Sequence, residues 1–421
     1  MIQSRFVIIT IIILLSCSGV SAKDIYLPRK VKRVESVMTE PNVHYIVKYK
    51  INLKGKTLSI PEGSELVFEK GCFKNGTIEG NVTILDGYNS NIFTNCLLTG
   101  TWQCKTSNSK MFNDNLDAAS LLSNLSVLSN KVILYADREY VIERDDLTLS
   151  CESITSIGDK RAVIRIRTTN PNKNGLLFSA GSVEISNLII KEDFENKLGQ
   201  YSDNDHRNGC TVATAAPRGW LQKVLIHDCV FEWGTPSSYF ASSTTRDCLV
   251  ENCTFNGYMA DHAVYCSRNI EHFEIRNCLL QDVSYTTGLF KVRTSKALKE
   301  FKIDSLTVRN LNGYLAVVEL MPSNAEIIIS NVEVSKDIDK NYKCYGVCIV
   351  KDTRESNRAD TIDAKSIVFE NCHFDYGYPG HPLIARGAGV KVTAETIIYR
   401  NVKAKDLSLT GGISKRQVVI E

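Results

Sequence analysis

The chain has 421 residues, long enough for a large core in one or two domains. Its 50 Lys and Arg against 47 Asp and Glu leave a formal charge of +3, which calls for neither nucleic acid nor an anionic membrane, although a local basic groove could hold an acidic polymer. Aromatic content is modest and no low-complexity tract stands out. The first segment, "MIQSRFVIITIIILLSCSGVSA", has a positive start at Arg5, a short apolar core from Phe6 to Leu15, and small residues after it. That core is too short to span a bilayer and reads as an export signal over residues 1–22. Two processing sites compete: "VSA" before Lys23, and the lipobox-like "LLSC", which would end the signal at Ser16 and leave a lipid anchor on Cys17. No later apolar run is long enough for a membrane span.

Residues 23–105 read as a separate short-rung β module. Tyr45 to Cys104 is alternating and turn-rich, and "NGTIEGNVTI" reads as two very short rungs. The one good helix candidate is "NDNLDAASLLSNLSVLSN", Asn113 to Asn130, with Asp117 in its first turn. It is expected to cap the open end of the strand array C-terminal to it, since an unprotected strand edge invites aggregation.

Residues 106–421 carry a repeat. The runs "VEISNLII", "VLIHDCVF", "LVENCTF", "FEIRNCLL", "LTVRNLNG", "IIISNVEV", "IVFENCHF" and "IIYRNVKA" align on Asn187, Asp228, Asn252, Asn277, Asn310, Asn331, Asn371 and Asn401. Their spacing varies from 21 to 41 residues, the mark of a fixed rung carrying loops of variable length. Each unit has a short alternating strand up to the Asn, a second short strand, a variable loop, and a third apolar strand such as "AVYCS" or "GLFKVR". None of these strands can bury its face alone, so together they describe a solenoid. The Asn has a reason: a tight corner needs φ > 0, which Asn tolerates. Cys229, Cys253, Cys278 and Cys372 follow the marker directly and are expected to stack inside, reduced. The 14 cysteines include no CxxC pair and no Cys/His cluster with zinc spacing, so no metal and no cofactor is expected.

The "LVENCTF"-type rung, its Asn ladder over roughly Val132 to Val402 and the helix before it resemble the pectin-lyase-like superfamily. That resemblance implies an all-β fold, a right-handed parallel β-helix of three sheets. The Tyr45–Trp102 segment is similar to N-terminal segments of secreted carbohydrate-active β-helix proteins of Gram-negative gut bacteria. It implies an exported protein (periplasmic, secreted or lipid-anchored) whose partner is a polysaccharide or oligosaccharide. The polygalacturonase set of "NTD", paired "DD", "GHG" and "RIK" is missing, as is the acidic row of calcium-dependent pectate lyases. Polysaccharide lyase, glycoside hydrolase and non-catalytic glycan-binding or adhesion solenoid all stay open, with lyase first.

By the same resemblance, the outer face of the sheet after the variable loop carries the cleft. Alternation turns Tyr265, Lys291, Arg293 and Glu319 outward, with Asp261 and His262 at the lip. For β-elimination, Lys291 would be the base, Arg293 the carboxylate clamp, and Tyr265 or His262 the acid. For hydrolysis, Asp261 and Glu319 would lie two rungs, about 9–10 Å, apart. Arg268 and Arg386 flank the face. His206, in the loop Asp193–Gly209, and Tyr376 and Tyr378, in "YGYPGH", are expected to overhang it and contact sugar. The bland alternative makes Lys291 and Arg293 solvated charges with Glu319 as their partner.

Overall fold

A computed structural model describes residues 22–421 except 168–172, 194–209, 216–219, 233–236, 242–243, 259–261, 286–287, 293–297, 314–315, 321–323, 337–344, 350–360, 376–382, 387–390, 405–406 and 408–412. The expected export signal and Cys17 lie outside the described residues. Nearly all regular structure is β, and the strand pairs are parallel. They form a seven-stranded N-terminal sheet, a 17-stranded sheet and a nine-stranded sheet. The main body is a solenoid-type array in which each strand pairs with its counterpart one coil later.

The corners follow from the sequence. Asn187, Asp228, Asn252, Asn277, Asn331, Asn371 and Asn401 all adopt φ between 49° and 55°. At Asn277, Asn331, Asn371 and Asn401 the strand runs through the corner without a break, as in the 16-residue strand Ile270–Tyr285, whereas at Asn187, Asp228 and Asn252 it pauses for one or two residues before resuming in the same sheet. The two limbs on either side of the corner therefore belong to the single 17-stranded sheet, so hydrogen bonding separates two sheets in the main body rather than three. One marker is corrected. In the "KIDSLTVRN" unit the corner is Ser305 (φ 65°), not Asn310. Arg276 pairs with Asp304 and Cys278 with Leu306, which puts Ser305 opposite Asn277. Serine lacks the carboxamide of the column, and Asp304 makes good the loss: its Oδ1 accepts the Asn331 amide at 2.8 Å. That hydrogen bond holds the Asp304 carboxyl below the usual carboxylate range, outweighing its partial burial.

Inside the corners Cys229, Cys253, Cys278 and Cys372 are buried free thiols. Each points its Sγ at the carbonyl two residues back, 3.2–3.3 Å away. Mutual thiol contact, then burial, pushes Cys278 far up, so it is a packing group and not a nucleophile. Aromatics stack one rung apart in the same interior: Phe231 on Phe255 at 5.0 Å, Phe273 on Phe301 at 5.3 Å. Each such side chain contributes roughly 1.5–3 kcal/mol on burial.

The N-terminal module is a small coil of its own. Cys72–Leu85 pairs along its length with Lys50–Asn52, Thr57–Ser59, Glu65–Phe68 and Phe93–Gln103. It carries a second asparagine ladder: Asn75 donates to Asn52, Asn95 to Asn75, and Asn113 to Asn95, at 3.2–3.4 Å. A short helix not expected from the sequence, α1 (Val31–Val37), packs there through Val34. It has no side-chain cap and no acidic first turn, so it carries no start signal.

The expected helix is α2 (Ala118–Leu128). Asp117 is its N-cap rather than part of its first turn, and accepts the Ser120 N–H at 2.8 Å. The helix lies between the last N-terminal strand, Phe93–Gln103, and the first strands of the main coil. Buried Asn124 takes the place of a further strand: its Oδ1 accepts the Leu98 N–H at 2.9 Å and its Nδ2 donates to the Cys96 carbonyl at 2.8 Å. The side chain thus satisfies an edge that would otherwise stay open.

Candidate functional site

The nine-stranded sheet is made of the short strands that come after the variable loops. Along His262–Cys266, Gly288–Val292 and Ala316–Leu320, Val264, Phe290, Val318, Val292 and Leu320 are buried core. The residues between them face away from it, as alternation requires. Pairing sets Tyr265, Lys291 and Glu319 in one column, one per coil, in backbone register with Phe240 before them and Cys348 and Ala385 after them. Tyr265, Lys291 and Glu319 are therefore brought together as consecutive rungs. Arg386 belongs to the neighbouring column, opposite Ile349.

Lys291 Nζ lies 2.7 Å from Glu319 Oε1. It also lies 5.6 Å from the centre of the Tyr265 ring, within cation–π range. The His262 ring sits 4.9 Å from that of Tyr265, tilted by 53°. His262 is fully buried rather than exposed at a lip. The Lys291 and Glu319 side chains are only 12% and 10% exposed, so neither is a solvated surface charge. In so shielded a site their attraction is much stronger than between exposed groups. A carboxylate, a cation, a phenol and an imidazole thus follow one another as a chain of contacts, Glu319 to Lys291 to Tyr265 to His262, a set that can bind an acid group and move a proton.

Arg268 is exposed just past its strand. Asp261, Arg293, His206, Tyr376 and Tyr378 lie outside the described residues, as do residues 194–209 and 376–381 of the two loops that were expected to overhang the face; the backbone of Arg386 is described but its side chain is not. Among the described residues no group of His, Cys, Asp and Glu is placed to hold a metal ion, and no helix is long and apolar enough to cross a membrane.

One ionisable cluster escaped the sequence reading. His227 Nδ1 is 2.7 Å from Asp228 Oδ2, and its Nε2 is 3.2 Å from Glu184 Oε1. Burial pulls the imidazole down, but the two carboxylates outweigh it and leave it above the ordinary histidine value. The available signal was Asp228 itself, the one acidic residue among the eight repeat markers.

Compared with protein-family models the chain matches none, and no curated protein matches it.

Proposed function

We propose that the chain is an exported right-handed parallel β-helix of the pectin-lyase-like type, coiled as three faces over residues 106–421 behind an N-terminal module over 23–105. It acts on a uronic-acid-containing polysaccharide by β-elimination on the outer face of the nine-stranded sheet. The observation that carries this reading is the column Tyr265–Lys291–Glu319 with His262 beside it. Glu319 presents Lys291 as an ammonium donor. That suits Lys291 to neutralise a substrate carboxylate, and shifts the proton-transfer role to Tyr265 and His262. With the carboxylate neutralised, the C5 proton leaves to the phenol–imidazole pair. The C5–H electrons form the C4–C5 double bond, and the C4–O bond breaks as its oxygen takes a proton back from the same phenol–imidazole pair, which returns to its starting state. Hydrolysis by two carboxylates is less well supported, because Glu319 is occupied by Lys291.

The shielding of the ion pair favours a second reading, a glycan-binding solenoid in which the pair braces the face. Incubation with a panel of uronate and neutral polysaccharides separates the cases. New ultraviolet absorbance from unsaturated uronate is the expected result. New reducing ends without that absorbance would mark a hydrolase, and binding without either would mark the non-catalytic solenoid.

A further inference from the structure

A second candidate site is lined by none of the strands of this nine-stranded sheet. It is a cavity of about 590 Å³ where the N-terminal module meets the main coil. Its floor is the outward side of the first coils: Lys131, Ser153, Glu184 and Leu225 lie one after another in register. One wall is the end of the last N-terminal strand, with Trp102, Gln103 and Lys105. The indole is half-buried and fixed: its Nε1 donates to the Thr99 carbonyl at 2.8 Å, and its ring meets Phe93 edge-on at 6.5 Å. Gly80 makes room for it, since a Cβ there would come within 2.6 Å of the indole.

We infer that this groove is a binding site for a short anionic saccharide of uronate type, separate from the proposed reaction face and not dependent on the reaction assigned there. Three features select the ligand. Lys105, Lys131 and Lys223 all line the groove, and none pairs with a carboxylate among the described residues. Of the two glutamates present, Glu184 is engaged by His227, so the uncommitted charge is mainly positive. A rigid indole supplies an apolar platform for the C–H face of a sugar ring. Ser129, Asn130, Ser153 and Ser182 both donate and accept, as sugar hydroxyls require. Rungs repeat every ~4.8 Å, close to the length of one pyranose unit, so the four floor residues offer places for two or three rings. The floor is a sheet face and not a strand edge, so an extended peptide would find no backbone to pair with.

The test is titration of the full chain with trigalacturonate, read by calorimetry and by amide exchange. Expected are protection of amides in 102–105 and 131–133, and at least tenfold weaker binding in the doubly reversed Lys131→Glu/Lys223→Glu chain. These two lysines are exposed, so the variant should keep the wild-type unfolding midpoint; Trp102→Ala should also lose binding but endangers packing on Phe93. The neutral, carboxyl-reduced trisaccharide should bind at least tenfold more weakly than the acid. Protection confined to 262–266 and 288–292 would overturn the groove while leaving the reaction face standing. Unchanged affinity in the doubly reversed chain, or no binding at all, would also overturn it. Hexaglutamate binding as tightly as the trisaccharide would replace the saccharide with an acidic peptide.

Discussion

The Lys291–Glu319 pair, 2.7 Å apart and about nine-tenths shielded, makes each charge depend on the other. Removing one partner strands the other in a site poor in water. Lys291→Met should therefore destabilise the chain by about 3 kcal/mol in urea unfolding. The double change Lys291→Met/Glu319→Leu should recover most of that loss, because a matched apolar pair strands nothing. A loss below ~0.5 kcal/mol in the single variant would return Lys291 to the class of solvated surface charges. His227 gives a pH-dependent counterpart. Its folded-state pKa is raised, so the folded chain holds the proton more tightly than the unfolded one. The resulting stabilisation is fully present below the unfolded value, about 6.5, and is lost as pH rises through the higher folded value. Unfolding midpoints followed upward from about pH 6 should fall in the wild type, and His227→Gln should flatten that fall. An unchanged slope in the variant would remove His227 as its source.

At the scale of elements, α2 shows how a helix can end a sheet. Its apolar face, with Leu121, Leu122, Leu125 and Leu128 buried, supplies the adhesion. Asn124 supplies the polar match to the edge strand. Asn124→Leu fills the same buried position with an apolar side chain but leaves the Leu98 N–H and Cys96 carbonyl without a partner. The expected cost is about 2–3 kcal/mol, with the Leu98 amide losing its protection from hydrogen exchange. Retained protection at Leu98 would show that the helix cap does not rely on this amide. The helix itself was legible from its cap and apolar spacing; the role of Asn124 was not, because it depends on which strand lies opposite.

For the whole molecule, the repeat was readable wherever chemistry forced it. A corner with φ near 50° favours Asn, so seven of eight corners announced themselves. The eighth was misplaced because Ser305 carries no such signature and Asn310 lay close by. The N-terminal ladder was missed: "IFTNCLL" at Asn95–Cys96 repeats the later marker, but the shorter rungs around it hid the repeat. Alternation correctly grouped Tyr265, Lys291 and Glu319. It could not show that the pair is shielded, because burial is set by packing between distant segments; His262, two residues before inward Val264, shares its phase, so its placement at the lip went against alternation. The groove around Trp102 was illegible for the same reason: its walls lie more than a hundred residues apart in the chain. The most direct test of the proposed reaction face is the initial rate of unsaturated-uronate formation on the best substrate of the panel, for wild type and Tyr265→Phe. Loss of the phenolic proton should lower the rate at least 100-fold while binding and folding persist. A Tyr265→Phe chain as fast as wild type would contradict the assignment of catalysis to this column.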